Sequence, residues 1–228
     1  MASEFYFEMT PVDQWQPHDP NSIGGTPWLP TDINWPHCKQ CGERLTFLMQ
    51  FTIDESHGVP FRPGSHFLAF ACWQHDDIAD LHGGGNLPSE FWTASAGHYQ
   101  MILARPEDEK RFLKLDERIT PHRIEFIRRT ESIEHLAPGW DTGADHAKVG
   151  GVPCWAQEPE SYNCGCGAPM HYFAMLPENF EFPTASGAPI QPHGTGDDHY
   201  LLFLGNVNYF MACSKQCSPY AVLTAMQN

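Results

Sequence analysis

Two seven-residue segments of this chain share the phrase Gly-Gly-x-Pro, and each is followed at nearly the same distance by a pair of cysteines. The first copy is residues 24–30 (Gly-Gly-Thr-Pro-Trp-Leu-Pro) and the second is residues 150–156 (Gly-Gly-Val-Pro-Cys-Trp-Ala). From the first glycine of the phrase to the second cysteine of the pair there are 17 positions in the first half, ending at Cys41, and 16 in the second, ending at Cys166. Self-similarity at matched offsets predicts a duplicated structural unit.

The spread of turn-forming residues favours short strands over long helices, because 19 glycines and 20 prolines are distributed through the 228 residues. Apolar runs between these turns predict strands at 45–53, 66–73, 98–104, 111–115, 122–129, 170–176, 200–204 and 207–212. We therefore predict a mainly β fold (β-rich α+β) in which two pseudo-symmetric β units pack into one compact globule. The first unit, with an N-terminal extension, would cover residues 1–135 and the second residues 136–228.

Several connecting segments have local signals of their own. Alternating apolar residues at 5–9 predict a short edge strand, and Gly-Asn at 205–206 predicts a two-residue hairpin turn. We expect one helical turn at 76–81 and a short helix at 219–227. The proline- and glycine-containing segment 177–199 predicts a surface loop.

The charge and hydropathy of the chain limit its partners. A net charge of −15, from 28 acidic and 13 basic side chains, repels nucleic acid and favours solubility or a basic partner. No apolar stretch approaches the roughly 20 residues of a membrane span. The N-terminus lacks the basic and apolar regions of a secretory signal. We predict a soluble cytoplasmic protein that binds neither nucleic acid nor membrane.

Six of the eight cysteines form three close pairs, and a seventh, Cys72, is paired with His75, so that each half of the chain has two such pairs. In a reducing compartment they are better explained by metal ligation or free thiols than by disulfides. The candidate ligands are Cys38, Cys41, Cys72 and His75 in the first half, and Cys164, Cys166, Cys213 and Cys217 in the second. Four sulfur or imidazole donors from two short segments are what a closed tetrahedral zinc site requires. We predict up to two structural zinc ions.

Alternatives remain open for these residues. The paired cysteines could be small buried apolar residues without a metal, and His37 competes with His75 as a ligand. Cys154 has no partner in the pattern and is predicted to be buried and structural. Thiol redox chemistry at Cys38 and Cys41 is disfavoured because no thioredoxin-like strand–helix–strand pattern surrounds them.

Together, these motifs resemble a known family. The phrase at 24–30, Trp-Pro at 35–36, Cys-x-x-Cys-Gly at 38–42 and Leu-Thr-Phe-Leu-Met-Gln at 45–50 are similar to the YwqG-like family of bacterial proteins. They also resemble the eukaryotic programmed-cell-death-protein-two relatives, which share the TYPP domain. The second copy, extended to 149–157, resembles the same family phrase.

This resemblance covers roughly residues 20–75 and 145–217. It implies a β-rich fold of two pseudo-symmetric halves and no established enzyme activity. The eukaryotic relatives act as dedicated chaperones for a ribosomal protein, shielding a basic client until assembly. Many bacterial members lack the cysteines, so the zinc prediction rests on the residues of this chain rather than on the family.

The function predicted from these features is a protein-binding scaffold or chaperone-like module that holds a protein or peptide client and contains structural zinc knuckles. The alternative is a metal-assisted hydrolase that uses histidine and aspartate groups near 177–199. The chain has no Gly-x-Ser-x-Gly elbow and no His-Glu-x-x-His pair. We therefore predict no catalytic residue and no site for an organic cofactor, and a non-enzymatic role is favoured.

Overall fold

A ten-stranded antiparallel sheet organises the chain in the computed structural model, which describes residues 3–75, 83–94, 97–132 and 146–228. Its strands are β1 (Ser3–Val12), β2 (Ser22–Ile23), β4 (Thr46–Thr52), β5 (His66–Ala71), β7 (Tyr99–Ala104), β9 (His122–Ser132), β10 (Lys148–Gly150), β12 (Met170–Leu176), β15 (Val207–Cys213) and β16 (Val222–Gln227). Their order across the sheet is β16-β15-β12-β10-β1-β9-β2-β4-β5-β7. The prediction of a mainly β fold in one globule is confirmed.

Several short strands and helices lie outside this sheet. Three two-stranded sheets pair β3 (Trp28–Pro30) with β8 (Lys110–Phe112), β6 (Gly85–Asn86) with β11 (Tyr162–Asn163), and β13 (Glu181–Pro183) with β14 (His199–Leu201). Among the described residues, the helices are 3-10 turns at Glu55–His57 and Phe203–Gly205 and the four-residue α1 (Phe91–Ala94). None of the helices in the described part of the chain is long and apolar enough to cross a membrane.

The sheet curls until its two ends nearly meet. Leu103 in β7 donates its main-chain N–H to the carbonyl of Pro219, just before β16, at 2.8 Å. The side chain of Gln216 donates to Ser65 Oγ at 3.1 Å and ties the same two regions together. The curled sheet encloses an aromatic core in which the rings of Phe67 and Phe210 lie 4.9 Å apart. Burial of this apolar surface is the main stabilising term of the fold.

The two halves of the sheet have corresponding strands in corresponding registers. Outward from the central β1–β9 pair, one half runs β9-β2-β4-β5-β7 and the other β1-β10-β12-β15-β16. The β4–β5 pairing shifts register between Phe47 and Met49, and the β12–β15 pairing shifts between Tyr172 and Ala174. These bulges occupy counterpart positions, 125 residues apart, when Cys41 is aligned with Cys166.

The repeated glycines are required by close approaches on both sides. A Cβ on Gly24 would lie 2.6 Å from Cγ2 of Ile119, and a Cβ on Gly150 would lie 2.2 Å from the carbonyl oxygen of His57. Both distances are far below van der Waals contact, so the phrase is fixed by packing at the ends of β2 and β10.

Four of the local predictions are wrong for reasons of long-range pairing. The segment at 5–9 is part of a central strand, β1, because β9 pairs with ten of its residues. Residues 205–206 make no hairpin, since β14 pairs with β13 while β15 pairs with β12 and β16. The expected helix at 219–227 is the buried strand β16. Segment 177–199 is not wholly a surface loop, because β13 lies within it and buries Phe182.

Two further predictions fall on residues outside the described ranges. The helical turn at 76–81 lies there, and so does the proposed boundary between the units at 135 and 136. The division into units 1–135 and 136–228 stays a prediction.

A buried hydrogen-bond network beneath β2 fixes the tautomer of His66. The amide Nε2 of Gln50 donates to the carbonyls of Asp19 and Thr26, at 3.1 and 3.0 Å. Its Oε1 is therefore an acceptor, and it receives the N–H of Trp28 at 2.8 Å. The same oxygen lies 3.2 Å from Nε2 of His66, so that nitrogen must carry a proton.

The imidazole of His66 is neutral in the folded protein. Its Nδ1 accepts from Thr52 Oγ1 at 2.9 Å, which needs the unprotonated nitrogen. Burial, with the nearby charge of Lys110 as a smaller contribution, lowers the pKa of His66 to about 3. The unfolded chain binds a proton at this histidine below about pH 6.5, whereas the folded chain does not.

We predict that the contribution of His66 to stability is fully present above about pH 6.5 and is lost as the pH falls below it. The free energy of unfolding should drop by up to about 1.4 kcal/mol per pH unit from this group. Nitrogen-detected NMR of the histidine rings should show His66 as the Nε2–H tautomer down to the pH at which the protein unfolds. A titration of its folded signals with a midpoint near 6.5 would contradict the burial argument.

Candidate metal centres

The first cysteine pair lies on a tight turn before β4, which we call the first knuckle (residues 36–45). The N–H of Cys38 donates to the carbonyl of Glu43, and the N–H of Gly42 donates back to Cys38, both at 2.8 Å. Gly42 has φ of 77°, in the left-handed region that favours glycine. The turn presents the thiols of Cys38 and Cys41 toward the end of β5.

The other two ligands of this cluster follow β5. The N–H of Cys72 donates to the carbonyl of His98 at 2.7 Å, which continues the β5–β7 pairing to the cysteine. His75 Nδ1 lies 3.5 Å from Cys38 Sγ and 3.6 Å from Cys72 Sγ, and Cys41 Sγ lies 3.8 Å from Cys72 Sγ. All four ligand atoms lie within 4.8 Å of one another.

The second cluster has the same main-chain design. In the second knuckle (residues 162–170), Cys164 donates its N–H to the carbonyl of Ala168 and Gly167 donates to Cys164, both at 2.7 Å. The thiols of Cys164 and Cys217 lie 3.6 Å apart, as do those of Cys166 and Cys213. These four sulfurs also lie within 4.8 Å of one another.

The ligand spacing fits a tetrahedron around one ion at each centre. With zinc–sulfur bonds of about 2.3 Å and zinc–nitrogen bonds of about 2.0 Å, tetrahedral ligands lie about 3.8 Å apart for two sulfurs and about 3.5 Å for sulfur and nitrogen. The sulfur–sulfur contacts are 3.6 to 3.8 Å and the sulfur–nitrogen contacts 3.5 to 3.6 Å. Both clusters could hold a metal ion.

The thiols of the metal-free chain differ in acidity within each cluster. Burial raises the pKa of Cys72 to about 12, whereas at Cys41 hydrogen bonds from the Glu43 main chain and Cys38 outweigh burial and lower the pKa. The Ala168 N–H lowers the pKa of Cys166 to about 7, and burial raises that of Cys217. A bound divalent cation would favour the thiolate at every position, so metal binding would release protons.

The structure brings together all eight residues that the sequence nominated, in the predicted sets of four. His37 is not in the first cluster. The side chain of His37 is exposed whereas that of Cys38 is buried, because adjacent side chains of an extended segment point to opposite sides. His75 therefore provides the nitrogen.

Cys154 is buried and stands apart from both clusters, as predicted. Its Sγ accepts a hydrogen bond from Nζ of Lys148 at 3.2 Å, and that lysine is completely buried. The Lys148 ammonium also lies 5.0 Å from the ring of Tyr6. Sequence reasoning missed this buried lysine, because nothing in the local pattern of β10 distinguishes it from a solvated one.

The histidine and aspartate groups near 177–199 are only partly assembled. His199 contacts Asp198 through Nδ1 at 2.9 Å and Thr195 through Nε2 at 3.2 Å. Among the residues that the structure describes, no third group of metal-ligating side chains gathers there. The hydrolase alternative therefore has no assembled metal site in this part of the chain.

No protein-family model matches the chain, and no curated protein matches it in sequence. The resemblance to the YwqG-like family thus stays a prediction that rests on the quoted motifs.

We predict that iodoacetamide alkylates Cys166 before Cys217 in the metal-free protein at neutral pH. Both cysteines are exposed, so the difference should follow the lower pKa of Cys166. Peptide mass mapping over time measures the two rates, and metal-loaded protein is the control in which both are protected. Equal rates in the metal-free protein would contradict the assigned order of acidities.

Proposed function

We propose that each cluster binds one structural zinc ion. Seven thiols and one imidazole form the two ligand sets, and zinc prefers such soft and borderline donors. Four protein ligands complete a tetrahedron and leave no position for water. Each ion would join a knuckle to the end of the neighbouring strand and so stabilise the sheet edge.

We further propose that the protein is a protein-binding module, a scaffold or chaperone-like protein for a peptide or protein client. The observation that carries this proposal is the closed, sulfur-rich composition of both clusters, which suits a structural role and not hydrolysis. A net charge of −15 favours a client with a basic segment. The resemblance to chaperone relatives agrees with this proposal, and a cytoplasmic location is expected.

We also infer that the two halves arose from one duplicated unit. Support comes from the corresponding strand order, from the bulges at counterpart positions and from matching isolated bridges. His37 pairs with Arg44 in the first knuckle as Asn163 pairs with Pro169 in the second. Independent origins would have to reproduce each of these registers separately.

We predict two zinc ions per chain when the protein is purified without chelator. Cys213→Ser should lower this to about one and reduce the free energy of unfolding by several kcal/mol, since structural zinc binding is coupled to folding. Cys154→Ser is the matched control, because Cys154 is buried but belongs to no cluster, and it should keep both ions. Elemental analysis and denaturant titration measure these effects. Full zinc content in Cys213→Ser would contradict the assignment.

We predict that the zinc-loaded protein, used as bait with mild crosslinking in an extract of its host, recovers a protein that contains a basic segment. Recovery should weaken as salt rises from low to high concentration, because exposed charges are screened. Bait that has been stripped of metal should recover less of the same protein. Recovery of nothing above background with zinc-loaded bait would argue against a client.

A further inference from the structure

A cavity of about 290 Å³ lies beside the first knuckle. The first knuckle contributes His37, Lys39 and Leu45 to its wall, and β7 contributes Ile102. Trp92 of α1 and Tyr220, which follows the last cysteine of the second cluster, close the other side. The first knuckle therefore forms one wall of the cavity.

The second knuckle shows what covers the counterpart surface. There β6 pairs in parallel with β11, and the N–H groups of Gly85 and Leu87 donate to the carbonyls of Ser161 and Asn163, both at 2.8 Å. The side chains of Leu87 and Phe91 are buried in one apolar cluster with residues of that knuckle, among them Tyr162 and Met170. An extended segment of the chain itself thus occupies the outer edge of the second knuckle.

The first knuckle presents the same edge without such a segment. Trp35 and His37 are the counterparts of Ser161 and Asn163. Cys38 and Leu45 donate across the first knuckle to Glu43 and Pro36, so the main-chain groups of the intervening His37 point away from the turn. Within the described ranges, no main-chain N–H donates to Trp35 or His37, and His37 lines the cavity.

We propose that the cavity and this edge form a peptide-binding site, an inference that rests on the proposed function as a protein-binding module. An extended partner segment would pair in parallel with residues 35–37 and place a bulky apolar side chain against Leu45 and Ile102. Segment 85–91 makes this arrangement at the second knuckle, and strand addition to an exposed edge is a common mode of peptide recognition.

The size and lining of the cavity favour a peptide side chain over a larger ligand. Its volume of about 290 Å³ is just below the roughly 300–1,000 Å³ of small-molecule sites. No acidic side chain lines it, and the ammonium of Lys39 is held by the carbonyl of Thr93 at 2.9 Å. The occupant is therefore an uncharged apolar side chain, and specificity for the chain direction comes from the main-chain hydrogen bonds.

The test uses a synthetic peptide with the sequence of residues 84–92 and a control peptide with asparagine at the positions of Leu87 and Phe91. We expect the first peptide to perturb the amide NMR signals of His37 and Gln100 in zinc-loaded protein, and the control peptide not to do so. Perturbation by both peptides alike, at the second knuckle alone, or by neither would overturn the proposal. Binding of free indole in the cavity without binding of the peptide would also overturn the proposal.

Substitutions at His37 separate main-chain pairing from other effects. His37→Pro removes the N–H and should weaken the peptide about tenfold, whereas His37→Ala keeps it and should bind as the wild type does. Zinc content confirms that both variants are folded. Equal peptide binding by the two variants would contradict strand addition.

If His37→Pro loses the peptide but still captures the client at full yield, the client binds elsewhere, so this inference fails while the proposed function stands. If the peptide binds and no client is ever captured, the site stands and the proposed function fails.

Discussion

Each knuckle brings together four ligand atoms that lie within 4.8 Å of one another. Two of these ligands lie on a tight turn and two lie at or just beyond the end of a neighbouring strand. Apparent binding free energies for structural zinc are about 10–16 kcal/mol. The whole stability of a domain is only about 5–15 kcal/mol. Zinc bound as we propose would therefore contribute an energy comparable to the whole stability of the fold. The outer edge of the second knuckle, which holds β6, and the cavity at the first knuckle both lie beside these ligand sets.

Each half of the sheet has a set of four ligands, but the two halves differ in the polar groups beneath the repeated phrase. In the first half, Gln50 donates to Ser22 Oγ at 3.2 Å and accepts from the N–H of Trp28 at 2.8 Å. In the second half the counterparts of Ser22 and Trp28 are Lys148 and Cys154, which contact each other at 3.2 Å. The polar groups beneath the phrase therefore differ between the halves, whereas three of the four ligands are cysteines in both, with His75 in the first set and Cys217 in the second.

Local sequence was sufficient for the features that short-range geometry determines. The knuckles, their ligands and most core strands were predictable, because cysteine spacing and apolar runs act over a few residues. Met170–Leu176 was predicted with its observed bounds. Features set by distant partners were not predictable: Val222–Gln227 is a strand because β15 lies beside it, and β1 is central because β9 pairs along its length. The covering of the second knuckle by residues 85–91 had no sequence signal either, since the parallel pairing of β6 with β11 joins segments far apart in the chain.

X-ray absorption at the zinc edge of the protein as isolated tests the account most directly. The account predicts two four-coordinate ions per chain whose combined first shell is seven sulfurs and one nitrogen. The bond lengths should be about 2.3 Å to sulfur and about 2.0 Å to nitrogen. A shell containing oxygen from water, or a protein isolated with no metal bound, would contradict it.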